Sequence, residues 1–319
     1  GKTMNLSMLL QVKYILILIL FIIGVGLLSG LYPAHYLTRF EPAEVLKGIS
    51  KLRMKIPGGR RLLVVVQIVI SATLLISTAN IFMQLHFIKN EDPGFKRDNI
   101  VVIPIYNSRV GKQYDTFKEK LLKDKNIVSV TGSDYIIGVD HNYHEYRHEG
   151  VKENEWSFYP CLIVHDDFLQ TFDIEIVKGR GFDKKNPLDP WESILINEAM
   201  VEHLGWTNEN AIGRKFISYE GNEKVVGIFK NFYNRSMHID PQPFVLNIKE
   251  RYLEHWTKYM YIRVKPGNIK HAIENINTLW NKYEPNRPFQ YSFLDDEIKT
   301  LYRDEDNLVK LSALFTLIS

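Results

Sequence analysis

The segment from Leu62 to Met83, LLVVVQIVISATLLISTANIFM, is an apolar run without a charged residue, and Arg60 and Arg61 precede it. As an α-helix rising about 1.5 Å per residue it is about 33 Å long, which matches a bilayer hydrocarbon core of about 30 Å. Its hydroxyl and amide side chains are typical of packing against neighbouring helices in lipid. The sequence therefore predicts a transmembrane helix over residues 62–86.

The loop before this helix is basic. Seven lysines and arginines lie between Pro33 and Arg61, against only Glu41 and Glu44. Short basic loops remain in the cytoplasm, and this bias sets the orientation of the neighbouring helices. We therefore expect residues 34–61 to form a cytoplasmic loop and residues 87–306 to form an extracytoplasmic domain.

A second uncharged run, YILILILFIIGVGLLSGL, extends from Tyr14 to Leu31. At about 27 Å it is just long enough to span a bilayer, so we predict a transmembrane helix over residues 11–33. A buried helix of a soluble domain is the alternative, which two such runs around a basic loop disfavour. Another apolar run starts at Leu308 and stops part-way, so residues 307–319 are expected to begin a further transmembrane helix. This pattern predicts a multi-pass protein of the plasma (inner) membrane and a chain that is a piece of a longer polypeptide.

The composition argues against a nucleic-acid partner and against structures built from several cysteines. Of the 319 residues 45% are apolar, which is ample for a folded core, and the net charge of +3 gives no reason to expect a nucleic-acid partner. Cys161 is the only cysteine, which excludes an internal disulfide and a cysteine-rich zinc site.

The polar segment after Phe87 shows the same pattern twice. Strand, helix and strand are predicted in succession over 99–105, 112–125 and 127–130, and again over 259–264, 269–283 and 289–293. Two such βαβ units can form one ferredoxin-like sheet with both helices on one face. The expected fold class is membrane α-helical segments plus an extracytoplasmic α+β domain. In it a βαβ lobe, residues 98–161 and 243–294, carries an inserted mixed, mainly β lobe, residues 162–242.

Apolar residues keep helical spacing through the charged segment that ends this domain. They are Leu294, Ile298, Leu301, Leu308 and Leu311. The spacing predicts one helix that leaves the domain and enters the membrane without a break.

One motif suggests an enzyme: His144-Glu145-Tyr146-Arg147-His148 matches H-E-x-x-H. On a helix this spacing places two imidazoles one turn apart to hold zinc, with the glutamate as general base. No apolar stripe supports a buried helix there, and no third ligand is indicated. A membrane-anchored zinc hydrolase is therefore kept as an alternative, together with a sensor domain flanked by membrane helices.

Several segments together resemble a known family. Directly after the first apolar run comes a motif made of Pro33, Ala34, Leu37, Pro42, Leu46, Lys47 and Gly48. Further along stand FDIEIVKGRGF from Phe172, ILINEAMVEHLGW from Ile194 followed by AIGRKF, and VVGIFKNFYNRSMH from Val225. In this order the segments resemble FtsX-like ABC-transporter permeases of the MacB/FtsX type, with their juxtamembrane motif and MacB-like periplasmic core domain.

The resemblance implies a role for this chain and for its partners. The chain itself would hold no catalytic residue, cofactor or metal, and a partner ABC ATPase subunit would bind ATP and magnesium. Membrane lipid and a second permease, in a homodimer or a heteromeric pair, are the other implied partners. ATP hydrolysis would move the extracytoplasmic domain to export or extract a substrate, which is mechanotransmission.

Overall fold

The computed structural model describes residues 20, 23, 24, 27, 58–218, 221–248, 257–305, 307, 308, 310 and 311. The chain divides into two compact units, Gly1–Ile70 and Ser71–Ser319. Most of the predicted transmembrane helix over 11–33, most of the loop over 34–61 and the whole juxtamembrane motif lie outside the described residues.

The first described helix of any length is α1 (Gly58–Asn90), whose 33 residues make it about 50 Å long. Its segment Arg61–Gln84 is the one helix of the described residues that is long and apolar enough to cross a membrane, and no part of it is buried. Ser71, Leu74, Thr78 and Ile81 are less exposed than their neighbours. Their spacing of three and four places them on one face of α1.

The remaining elements belong to an α+β domain. Its first third contains β1 (Ile100–Pro104), α2 (Arg109–Lys112), α3 (Tyr114–Leu121), β2 (Ile127–Ser133), β3 (Asn142–His148) and β4 (Ser157–Ile163). Then follow α4 (Phe168–Phe172), β5 (Ile176–Gly179), α5 (Asp189–Glu192), β6 (Ser193–Asn197), α6 (Glu198–His203) and α7 (Asn208–Ala211). The last third contains β7 (Phe216–Ser218), β8 (Lys224–Phe229), β9 (Val245–Asn247), β10 (Tyr259–Val264), α8 (Ile269–Tyr283), β11 (Ser292–Phe293) and α9 (Leu294–Leu301).

A four-stranded antiparallel sheet has the order β11-β1-β10-β2. Phe117 of α3 and Trp280 of α8 share one hydrophobic cluster with Val101 and Ile262 of the central strands, so both helices cover the same face. Because side chains alternate along a strand, Ile100 and its alternate neighbours face the other side. Strand β11 is shorter than the strand predicted over 289–293.

A seven-stranded mixed sheet has the order β5-β8-β6-β9-β4-β3-β7. The pairs β4–β9 and β6–β8 are parallel and the other neighbours are antiparallel. A bridge between Lys215 and Lys224 brings the two ends of the order together, so the sheet is curled. This sheet extends from Asn142 to Asn247, a wider range than the inserted lobe expected over 162–242, whose boundaries stay a prediction. The outer strands of the sheet pair with partners far along the chain, which no local pattern reveals.

The two sheets share a core, here called the interlobe core. It takes Ile100 and Tyr261 from the four-stranded sheet and Leu162 and Leu246 from the seven-stranded sheet. Phe168 and Phe172 of α4 fill the space between them, with ring centroids 4.7 Å apart. Any relative movement of the two sheets must therefore disturb this closely packed layer.

Candidate functional site

Helix α9 is anchored in the interlobe core. Leu294 and Ile298 are buried there, and Leu301 packs against its edge. The carboxylates of Asp295 and Asp296 lie in the first turn, where the helix dipole favours negative charge. Both pair with Lys299 on the exposed face. One face of α9 is thus fixed to protein and the other is open to solvent.

The helix does not continue unbroken, which corrects the expectation from sequence. It ends at Leu301, and Tyr302 adopts φ −102° and ψ 9° before helical residues resume at Arg303. The Tyr302 ring is buried in the interlobe core, where its hydroxyl accepts a hydrogen bond from the Met237 backbone N–H at 2.9 Å. The break coincides with this inserted side chain, which ties the end of α9 to the segment after β8.

Beyond the break, the last two residues of the predicted apolar stripe have a different environment. Leu308 is 55% exposed and Leu311 is 50% exposed, and both lie in helical backbone. The five residues predicted to form one stripe therefore separate into an anchored group before Tyr302 and an exposed pair after it.

The C-terminal end of α1 meets the same core. Ile81 packs against the interlobe core, and the turn after α1 is closed by the Gly94 N–H donating to Asp92 Oδ1 at 2.9 Å. Gly94 has φ +83°, and a Cβ there would stand 2.7 Å from the Asn231 carbonyl oxygen. Phe95 then enters the core edge-on to Phe172 and Phe232. The chain leaving α1 is thereby locked to the α+β domain.

An ion pair joins the two anchors directly. The guanidinium Nε of Arg97, just after the α1 turn, lies 3.4 Å from Asp295 Oδ1 in the first turn of α9. Both side chains are at least two-thirds buried, so this pair is less screened by solvent than a surface pair. The ends of α1 and α9 are therefore linked by shared packing and by charge.

Asp134 connects the two sheets from within. It follows β2 and is fully buried, and the Ile163 N–H of β4 donates to its Oδ1 at 3.0 Å. Its Oδ2 has no hydrogen-bond partner among the described residues. Burial raises the pKa of this carboxyl to about 7. Sequence analysis missed Asp134, because a single acidic residue after a strand predicts only a turn.

The H-E-x-x-H motif does not form the helix that zinc binding requires. His144 and His148 lie on β3, where four residues span about 13 Å rather than one helical turn. The His144 Nε2 lies 3.0 Å from the Asn142 side-chain nitrogen. Among the described residues no group of three or more histidine, cysteine, aspartate or glutamate side chains could hold a metal. The structure does not favour the zinc-hydrolase alternative.

No family model and no curated protein matches the chain. Several solved structures do match this fold. The described fold is similar to the periplasmic region of MacB from Actinobacillus actinomycetemcomitans, at 14% identity and a TM-score of 0.47, over 67% of this chain and 97% of that one. It is also similar to a domain of a protein assigned as a permease from Porphyromonas gingivalis, at 14% identity and a TM-score of 0.42, over 62% and 92%.

A third similar structure is the extracellular domain of the noncanonic ABC-type transporter YknZ from Gram-positive bacteria, at 10% identity and a TM-score of 0.44, over 60% of this chain and 98% of that one. The resemblance to a MacB-like core domain that the sequence indicates is thus also found among solved structures.

Proposed function

We propose that this chain is the part of an ABC-transporter permease that carries motion between the membrane and an extracytoplasmic domain. The observation that carries the proposal is the convergence of α1 and α9 on the interlobe core, with Arg97 and Asp295 paired between them. Two membrane-directed segments anchored in one core can transmit a displacement that a flexible tether would absorb. The ordered sequence landmarks of the MacB/FtsX type support the same role.

In this proposal α1 crosses the plasma membrane and the α+β domain lies outside it. The four-stranded sheet with α3 and α8 is assigned a ferredoxin-like topology, since its strand order and its single helix-covered face are those of two βαβ units. Residues 34–61 are cytoplasmic. A separate ATPase binds ATP and magnesium, a second permease completes the transporter, and this chain catalyses no reaction.

The central test introduces a helix-breaking residue on the exposed face of α9. Lys299 lies inside α9 with its side chain 61% exposed, so Lys299→Pro removes a helical hydrogen bond, at about 3 kcal/mol locally, without deleting core packing. In the full-length transporter with its ATPase, we expect normal insertion and ATP hydrolysis but loss of the transport phenotype.

Lys299→Ala is the matched control, since it removes the same side chain and its ion pairs but keeps the helix. Transport by the alanine variant should resemble that of the wild type. If the proline variant, expressed at a normal level, also transports normally, α9 is only a tether and the proposed mechanism is wrong.

A second test concerns the side of the membrane. Lys152 is 88% exposed in the turn between β3 and β4. A cysteine at this position in a Cys161→Ser background should react with an impermeant thiol reagent in intact protoplasts. A cysteine at Lys51 should react only after the membrane is permeabilised, and the reverse pattern would overturn the orientation.

A further inference from the structure

A cleft of about 580 Å³ is lined by residues of α2 and α3, by residues from the segment 183–190, and by His165, Asp166 and Ile248. Residues of α2 and α3 form one wall, residues 183–190 form the opposite wall, and His165 and Asp166 contribute from the start of the α4 segment. Small-molecule sites commonly have volumes of about 300–1,000 Å³, so this cleft is large enough for a compact ligand.

The wall opposite α3 is held rigidly. Asp189 is buried, and Arg180 donates to both of its carboxylate oxygens at 2.6 and 2.7 Å. The Asn186 side-chain amide and the Ser193 hydroxyl donate to it as well, at 2.6 and 2.8 Å. These bonds satisfy the Asp189 carboxylate. Asp189 therefore holds this wall of the cleft in place before any ligand binds.

Tyr114 on the α3 wall carries an unsatisfied polar group. Its side chain is 7% exposed, and its buried hydroxyl has no hydrogen-bond partner among the described residues. The ring stacks on His165 at 3.8 Å. A buried hydroxyl without a partner costs about 1–3 kcal/mol, so this geometry is explained if a ligand supplies the missing hydrogen bond.

Charged groups of both signs surround this hydroxyl, and Lys118 Nζ lies 5.8 Å from the centroid of the Tyr114 ring. Burial and then the carboxylates of Asp167, Asp115 and Asp166 raise the pKa of Tyr114 well above its usual value. His165 contributes no compensating charge at neutral pH, because burial and nearby lysines lower its pKa to about 3.

Asp166 is the carboxylate left without a counter-ion. Its neighbour Asp167 pairs with Lys118, and Asp115 pairs with Lys184 at 3.1 Å. Asp166 is half-buried on the cleft wall and makes no ion pair among the described residues. Lys112, which also lines the cleft, is exposed.

We propose that this cleft binds a small organic cation, a primary amine or a guanidinium group. Asp166 supplies the counter-charge, and the Tyr114 hydroxyl accepts a hydrogen bond from one N–H of the ligand. Charge-assisted hydrogen bonds to a carboxylate are the strongest that such a ligand can make. The inference is separate from the permease proposal, because it concerns binding to this chain alone.

The test uses the full chain in detergent and agmatine, which carries an amine and a guanidinium group, titrated by calorimetry. We expect binding at millimolar or lower concentration that Asp166→Asn weakens about tenfold or more and that Tyr114→Phe weakens about threefold. Glu119→Gln is the matched control, because Glu119 is an exposed carboxylate of α3 that does not line the cleft, and its affinity should equal that of the wild type.

Two further arms decide the ligand class on the wild-type chain, whether or not the variants fold. N-butylacetamide, an uncharged analogue, should not bind, and agmatine should bind more weakly as salt is raised. A short acetylated and amidated Gly-Arg-Gly peptide distinguishes a basic side chain from a free amine as the source of the cation. Absence of agmatine binding, or equal binding of the uncharged analogue, would overturn the proposal.

Discussion

Helices α1 and α9 both meet the interlobe core, but they are held in opposite ways. Along α1 no described side chain between Arg61 and Gln84 is fully buried, and Ile81, one of four half-buried residues there, packs against the interlobe core. In α9 the first apolar residue, Leu294, is completely buried and the opposite face is charged. A helix that is apolar on all sides is suited to lipid, whereas a one-sided helix is suited to a protein surface.

The difference shows where a force would be resisted. Moving α9 relative to the rest of the α+β domain requires repacking of the interlobe core, whereas Ile81 is the described residue of α1 that packs against this core. We therefore expect α9 to be the stiffer connection. The following predictions test this contrast.

The largest effect is expected for Leu294→Ala. Truncating a fully buried leucine leaves a cavity and should lower the free energy of unfolding of the α+β domain by about 2–5 kcal/mol. Ile76→Ala is the matched change in α1, at a residue 63% exposed, and should leave domain unfolding nearly unchanged. Urea unfolding of both variants in the same detergent, followed by tryptophan fluorescence, measures the difference. Equal losses would show that α1 and α9 are equally integrated.

The second prediction uses the carboxyl that joins the two sheets. The folded-state pKa of Asp134 is raised to about 7 from an unfolded value near 3.8, so its contribution to stability is complete at low pH and lost as pH rises through 7. Between pH 6 and pH 8 this group should lower the free energy of unfolding by about 1.4 kcal/mol. Amide protection factors, which are corrected for the intrinsic rise of exchange rates with pH, should fall in α9 over this range but not in α1 between Arg61 and Gln84.

Asp134→Asn is the control for this prediction, because it keeps the size of the side chain and removes the titration. The variant should show a flatter pH dependence of unfolding between pH 6 and pH 8. If its pH dependence equals that of the wild type, other groups cause the change and Asp134 does not titrate as described.

The smallest effect is expected for Tyr302→Phe. The change removes the hydroxyl that accepts from the Met237 N–H but keeps the buried ring, so we expect a loss of about 1 kcal/mol. Amide exchange should quicken at Met237, while exchange before the break in α9 should stay as in the wild type. An unchanged exchange rate at Met237 would mean that the Tyr302 hydroxyl does not stabilise the helix break after α9.

Local patterns predicted much of the α+β domain. The apolar run of β1 and the stripe of α8 correspond to elements buried on a predictable face, because burial there follows directly from periodicity. Strand β3 shows the limit. Its sequence NYHEYRH has no apolar alternation, and it becomes a strand because β4 and β7 pair with it on both sides. Such pairing depends on distant segments and is invisible in a local window.

The candidate site was predicted only in part. Leu294 and Ile298, the first two positions of the predicted stripe, lie on the buried face of α9. The spacing could not reveal the break at Tyr302, because the next apolar position of the stripe, Leu308, keeps the helical period across it. The Arg97–Asp295 pair brings together residues nearly two hundred positions apart, and nothing in either local sequence marks the other as its partner.

Cys161 has a practical consequence. It lies in β4 between β3 and β9, is inaccessible to solvent, and has a thiol pKa raised by burial. A thiol reagent should therefore modify the native chain only during transient openings of the seven-stranded sheet. The rate of this modification therefore measures how often the seven-stranded sheet opens around β4.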